Sequence, residues 1–390
     1  MTSIQRPAPM RTDGSNAFAH HTIGTRIPET TVKETLALNP DYPPAIREAL
    51  YALGESLRAD APIPPLKPPA PDHDEWMAQY RPHAGETWLN SEWFFAEVYF
   101  YRLMIEVTRW WETGRDPYAP KKVEEVGAEA FWLALEAALA TVDWPTEERL
   151  QNLIQHALWG NRIDLSFKAA LAHGTDWHND DLLVDDSAAA VTRLLRDPAK
   201  RQAHIVNDNT GTELATDLAL ADGLLADTVD QVTLHVKLFP TFVSDAIVPD
   251  VLTLIDVLRS EASHPTVRAL GERLTAALND GRLRLAPDGF WNSTYFGWEM
   301  PPRLQAAFSG SALTVIKGDA NYRRIIGDAL WHPETPFAQV MAYFPGPVLA
   351  LRTSKSDGVV GLPAGTAERL SAVDPKWHTS GRYGLMQFKP

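Results

Sequence analysis

The chain has 390 residues, 36 basic and 50 acidic, a formal charge of −14, and 45% hydrophobic residues. That length suits two domains or one two-lobed unit with a large core, and so acidic a chain repels phosphate backbones at long range, which argues against nucleic-acid binding. It has no cysteine, so disulfides, thiolate metal sites and cysteine nucleophiles are excluded.

From the N-terminus, MTSIQRPAPMRTDG lacks the apolar stretch of a secretory signal, and residues 1 to about 25 read as a loose arm. Ile46, Leu50, Leu53 and Leu57 recur at helical spacing and predict a helix over 43–59. PIPPLKPPAPD is an extended connector, because proline lacks the amide donor that a helix or a central strand needs. Helices follow over 92–113, 128–142 and 145–159, the last with proline at its start and Gly160 past its end. The most apolar stretch, WFFAEVYFYRLMIEV, carries Glu97, Arg102 and Glu106, so it reads as a buried helix rather than a membrane span. With neither signal nor span, the expected location is cytoplasmic. DDSAAAVTRLLRD forms one more helix, acidic at its positive end.

From about residue 200 the rhythm changes. Strands are expected at 204–207, 231–238, 283–286, 312–317 and 347–351, with helices at 213–226, 249–261, 265–279, 301–309 and 321–326 between them. Such alternation implies a mostly parallel, Rossmann-like α/β sheet with helices on both faces. The expected division is a helical N-terminal lobe, residues 1–195, on an α/β catalytic domain, residues 196–390, with the active cleft between them.

Open α/β sheets bind ligands beyond the carboxyl ends of their strands, and four such ends carry polar groups. Asp208 and Asn209 begin DNTGTE after the first strand, and Asp245 follows the second. Hard divalent cations prefer oxygen donors, and two carboxylates plus an amide leave the ion attractive to an anion. Each residue could equally cap the helix that follows it. Arg352 and Lys355 in RTSK suit phosphate oxygens, or a solvated loop. Lys237 lies in an apolar strand and must point to the cleft or to an edge. Gly318 allows close backbone approach, and Asp319 beside it could meet a sugar hydroxyl or end an ordinary turn. Asn161 and Asp164 in GNRIDLS read as cleft residues or as a helix stop and cap. Glu97 and Arg102 read first as a buried ion pair, with a cleft role as the other option. Among the described motif types, no Walker loop, dinucleotide fingerprint or nucleophile elbow appears.

Taken together, WFFAEVYFYRLMIE, ALWGNRIDLS, DNTGTELATDLALAD, FVSDA, KGDANYRR, RTSK and TSGRYGLMQF make a chain that resembles the metal-dependent damage-control phosphatases, the subgroup also described as protein-glutamate methyltransferase-like. The resemblance implies a metal held by Asp208, Asn209 and Asp245. It implies substrate contacts from Asp208, Asn209, Lys237, the segment Gly318, Asp319, Asn321 and Tyr322, and Lys355. It implies release of phosphate from a small sugar phosphate of the fructose 1-phosphate or fructose 6-phosphate type. Manganese is the first expectation for the ion, with cobalt, nickel or magnesium as alternatives. Asn207 departs from the apolar residue usual before the Asp-Asn pair.

The expected chemistry is metal-assisted phosphomonoester hydrolysis, with Asp208, Asp245, Arg352 and Lys355 as catalytic residues and Asp245, Asp164 or Glu97 as activator of the water. Three rivals stand beside it. One is attack by Asp208 itself, since DNTGT is one residue from the DKTGT of phosphorylated-aspartate pumps. Another is S-adenosylmethionine-dependent methylation of a protein carboxylate. The third is phosphosugar binding without turnover.

Overall fold

The computed structural model describes residues 4–160, 181–196, 201–261 and 263–390. Seven strands form one sheet: β1 (Leu182–Asp185), β2 (Gln202–Val206), β3 (Gln231–Val236), β4 (Leu283–Pro287), β5 (Leu313–Lys317), β6 (Val348–Thr353) and β7 (Gly384–Lys389). Their order is β1-β7-β6-β5-β2-β3-β4. Neighbours from β4 through β6 are parallel, β7 runs antiparallel to β6, and β1 is parallel to β7. The sheet is thus mostly parallel, as the strand–helix rhythm implies.

Two of these strands fall outside that rhythm. β1 has four residues in an acid-rich stretch and is only half-buried, so no apolar run marks it. β7 closes the chain as an antiparallel partner, with no crossover helix after it to announce it.

The helices that position the site are α1 (Pro44–Arg58), α2 (Trp93–Val107), α3 (Ala119–Val126), α4 (Glu129–Leu139), α5 (Thr146–Trp159), α6 (Ser187–Arg196), α7 (Gly211–Asp227), α8 (Val248–Leu258), α9 (Pro265–Asn279), α10 (Pro302–Ser309) and α11 (Asp319–Ile326). Successive strand residues point to opposite faces. In β5, Val315 enters the core formed with α4 to α9, while Ile316 enters the one formed with α10, α11 and Trp291. Helix α5 packs on β6 and β7, and the strand β1 pairs with β7, although both precede residue 196.

A third core holds the N-terminal aromatics. In α2, Phe94, Phe95, Tyr99 and Phe100 are buried with Trp88, Ile27 and Leu57, each such side chain contributing about 1.5–3 kcal/mol on burial. The loose arm expected up to about residue 25 is instead tied down. Met10 N–H donates to Asp328 O at 2.8 Å, and Thr12 N–H donates to Ser91 O at 2.9 Å. Residues 17–38 are helical, with a π-helical run over Thr22–Val32. In the segment 17–38 the buried apolar positions Ala19, Ile23 and Ile27 recur every four residues, a stripe too sparse to stand out against a polar opening sequence. No described helix is long and apolar enough to cross a membrane.

Candidate active site at the switch point of the sheet

The chain steps outward from β2 to β3 and β4, then returns to place β5 on the other side of β2. The crevice beyond the ends of β2 and β5 is therefore the switch point of the sheet, where open α/β folds bind ligands. Asp208 leaves β2 there and Gly318 leaves β5. Gly318 has φ +82°, and a Cβ at that position would lie 1.9 Å from Asp208 Oδ2. Only glycine allows the two loops to approach this closely.

The loops after β2 and β3 are tied together. Ala246 N–H donates to Asp208 O at 2.8 Å, Thr210 N–H to Ser244 O at 2.7 Å, and Lys237 N–H to Ala246 O at 3.0 Å. On the way, Phe242 (φ 48°) and Val243 (φ 70°) adopt the left-handed region, which costs such residues on the order of 1–3 kcal/mol each. That strain turns Ser244 and Asp245 back toward Asp208. A cavity of about 320 Å³ opens here, within the range of small-molecule sites. Asp208, Asn209, Asp245, Asp319 and Lys355 line its floor, and Phe18, Trp93, Tyr101 and Phe242 form an aromatic wall.

The carboxylates are poorly compensated. Asp208 and Asp245 are both buried, and Asp208 Oδ1 accepts no hydrogen bond from any described residue. Asp208 Oδ2 and Glu213 Oε2 share the Nδ2 of Asn209, each at 2.9 Å, and Asn209 Oδ1 accepts from Ser244 Oγ at 2.5 Å. Burial, with Asp245 and Glu213 close by, pushes the Asp208 carboxyl well above its ordinary range, and Lys237 and Lys355 offset this only in part. Burial likewise raises Asp245 to about 6 against the pull of Lys237. Two buried acids that resist ionising, each with an oxygen that accepts no hydrogen bond from a described residue, call for a cation. Among the described residues no three His, Asp or Glu side chains gather as a metal set. The fit is with two carboxylates and the Asn209 amide oxygen, a hard donor set suited to a divalent ion.

Lys237 sits beneath this group. Its ammonium lies 3.2 Å from Asp245 Oδ2 and donates to Trp291 O at 3.1 Å and Asn321 Oδ1 at 3.3 Å. Lys237 is buried, does not line the cavity and pairs with Asp245. Asn321 is buried as well, its Nδ2 donating to Lys317 O at 2.9 Å and Asn207 O at 3.2 Å, so it braces the ends of β2 and β5.

Arg352 corrects the expectation of a guanidinium on phosphate. It is fully buried. Nε donates to Asp319 Oδ1 at 2.7 Å, Nη2 to Ser356 O at 2.8 Å and to Ser356 Oγ at 2.9 Å, and Nη1 to Gly358 O. Tyr322 lies under its guanidinium carbon at 4.3 Å and donates to Gln387 Oε1 at 2.7 Å, away from the cavity. Asp319 passes the effect on by accepting from Lys355 N–H at 3.1 Å. Burial would raise Asp319, but Arg352 and Arg323 outweigh it and hold the carboxyl below its ordinary value. Of the two expected phosphate cations, Lys355 alone lines the cavity.

Glu97 and Arg102 do not pair with each other. Glu97 faces the cavity and pairs with Arg323 Nη1 at 2.5 Å and Arg26 Nη2 at 3.6 Å, while Arg102 pairs with Asp72 at 2.6 Å. Asn161 and Asp164 lie outside the described residues. The residues that sequence reasoning passed over are Arg26, Thr30, Thr31 and Glu34 of the N-terminal helical segment, Lys121 of α3, and Arg323 of α11. Arg323 was within sight: it is the first arginine of the quoted motif KGDANYRR. It also pairs with Asp328 at 2.7 Å and lies 3.7 Å over Trp93.

Residues 31–370 match the family described as the damage-control phosphatase ARMT1-like domain. The chain is 30% identical to damage-control phosphatase ARMT1 of Danio rerio over 424 residues, covering 95% of this chain and 94% of that protein. For the Rattus norvegicus protein of the same name the identity is 29%, over 98% of this chain and 99% of that one. The crystal structure of a DUF89 family protein from Pyrococcus horikoshii shares the fold, with a TM-score of 0.50 at 14% identity over 96% of this chain and 99% of that one.

Proposed function

The chain belongs to the damage-control phosphatase ARMT1-like domain family, and on that premise we propose that it is a metal-dependent phosphomonoester hydrolase of small sugar phosphates. The observation that carries this reading is the unpaired, buried Asp208 Oδ1 beside Asp245, in one cavity with Lys355. Asp208, Asp245 and the amide oxygen of Asn209 would hold the ion, with Mn²⁺ the first choice and Co²⁺, Ni²⁺ or Mg²⁺ as alternatives. When bound, a divalent ion supplies Lewis-acid stabilisation of the charge on phosphoryl oxygens.

The chain's own groups do the rest. The Lys355 ammonium takes a non-bridging phosphate oxygen. Asp319 holds the Lys355 main chain in place from below. Glu97 presents its carboxylate at the cavity wall, where it can accept from a sugar hydroxyl or from the attacking water. The aromatic wall excludes bulk water and so strengthens these charges. Phosphoryl transfer is mostly positioning and electrostatics, so a fructose 1-phosphate or fructose 6-phosphate needs little beyond these groups. Attack by water is favoured over attack by Asp208, because the residue two places on is Thr210, which cannot serve as a general acid.

The test is phosphate release from fructose 1-phosphate and fructose 6-phosphate with each of the four ions. Turnover that disappears in Asp208→Asn and Asp245→Asn supports the reading. Full activity in both variants rejects the ligand assignment. In a single turnover quenched with acid, no acyl-phosphate should be trapped on Asp208; an acyl-phosphate trapped there would restore the covalent route.

A further inference from the structure

Asp245 is held at its carboxylate from the sheet, by Lys237. It is also held from the other side. Lys122 of α3 reaches across from the helical region, and its ammonium donates to the main-chain carbonyl of Asp245 at 3.1 Å. The same ammonium pairs with Asp250 Oδ2 at 2.7 Å and Asp116 Oδ2 at 2.8 Å. Asp250 is not a spare acid, because it accepts from Ile247 N–H at 2.9 Å and so caps α8. One ammonium therefore pins the segment from Asp245 to Asp250 at both ends. The residues just before it, Phe242 and Val243, are in the strained left-handed region, and a segment so bent keeps its shape only when its surroundings over-determine it.

A second contact of α3 points the same way. Glu125 Oε1 accepts from Thr212 N–H at 3.0 Å, and its carboxylate fills the space beside Gly211, where a Cβ would lie 2.2 Å from Glu125 Cδ. The loop carrying Asp208 and Asn209 is thus braced by the same helix. The three N–H directions of Lys122 are consumed by three acceptors, it is buried, and it does not line the cavity. It touches neither substrate nor reacting atoms.

We infer that Lys122 is a positioning residue for the metal site, fixing the main chain of Asp245 so that two buried lysines from two layers of the fold hold one ligand. Two aspartates flank the ammonium and offset the burial that would otherwise discharge it, which keeps it a donor. The inference rests on the metal-dependent reading above. Its consequence is that metal affinity depends on how α3 docks.

The experiment uses the full chain and two readouts, Mn²⁺ affinity by calorimetry and phosphate release from fructose 1-phosphate. Lys122→Met should weaken Mn²⁺ binding about 10–100-fold, the effect usual for a residue that orients a metal ligand, and lower kcat more than it changes KM. Lys122→Arg should restore most of the affinity. Arg102→Met removes another fully buried cation, one that does not line the cavity, and should lower Tm with Mn²⁺ affinity unchanged. Should Lys122→Met not fold, the charge-balanced Lys122→Met/Asp116→Asn carries the test. Wild-type Mn²⁺ affinity and kcat in either folded variant would overturn the inference. A wild-type chain that binds Mn²⁺ but releases no phosphate sinks the substrate reading alone, and the affinity comparison still decides on Lys122. A wild-type chain that binds no Mn²⁺ ends both.

Discussion

Two buried lysines, at the ends of the two strands that flank β2, are compensated in opposite ways by their surroundings. Lys317, at the end of β5, donates to Asp217 at 2.7 Å, Glu213 at 2.9 Å and Ala157 O at 2.6 Å. Burial works against its charge, but Asp217 and Glu213 outweigh it, and the ammonium is held above its ordinary value. Lys237, at the end of β3, has one carboxylate and two neutral acceptors, and burial pulls it below its ordinary value despite Asp245. The Lys317 cluster is closed. The Lys237 cluster leaves Asp208 Oδ1 unpaired. Equal burial and similar residue types therefore do different jobs. Complete pairing marks a structural cluster, and a deficit of one cation marks a site that waits for one.

The sharpest way to break this contrast is to neutralise one charged group from each cluster. Asp208→Asn should abolish Mn²⁺ binding and cost at least about 3–4 kcal/mol of barrier, or 10²–10³-fold in kcat. Metal-free, the same variant should be no less stable than wild type in urea denaturation, because it removes a strained buried charge. Lys317→Met should do the reverse. It should destabilise by roughly 3–5 kcal/mol, since it leaves two buried carboxylates unpaired. If Asp208→Asn destabilises as much as Lys317→Met, the open cluster is as structural as the closed one.

Gly318→Ala comes next. The new Cβ would need the space of Asp208 Oδ2 in a backbone of φ +82°, so Mn²⁺ affinity should fall about 10–100-fold, as for loss of an orienting partner. Unchanged affinity by calorimetry would show that the two loops are not tightly juxtaposed. Arg352→Lys should lower kcat less, about tenfold, because it acts only through Asp319 and Lys355; the lysine cannot reproduce the guanidinium fork. A rise in KM with kcat unchanged would instead return Arg352 to the substrate.

The smallest effect is a pH dependence. In the metal-free fold Asp245 has its pKa raised from 3.8 to about 6. The stability this proton contributes is fully present below about 4 and is lost as pH rises through about 6. Binding a cation needs the ionised form, so the rise in Tm caused by Mn²⁺ should grow between pH 5 and pH 7. The depressed histidines His204 and His235 contribute equally with and without the ion and cancel in that difference. A shift that does not vary with pH would contradict the linkage.

These contrasts also show what the sequence could and could not carry. Strand–helix alternation located β2 through β6, and the strand-end rule brought Asp208, Asn209, Asp245, Gly318 and Lys355 to one rim. Type and position do not say which way a side chain points or how many acceptors await it. Arg352 and Lys355 are three residues apart, yet one is saturated by Asp319, Ser356 and Gly358 while the other lines the cavity. Tyr322 and Asn321 follow the same logic, being bound up under the loop they were expected to present. The far wall was hidden for another reason. Phe18, Arg26 and Thr30 belong to a segment whose polar composition conceals its helices, and they meet Asp208 only across the fold.

The most direct test is a crystal structure of the full chain soaked in Mn²⁺, with the ion located by its anomalous signal. The peak should lie between Asp208 Oδ1 and the Asp245 carboxylate, within coordination distance of Asn209, with Lys237 and Lys317 unmoved. A peak elsewhere in the fold, or none at saturating ion with Asp208 Oδ1 still unpaired, would contradict the account.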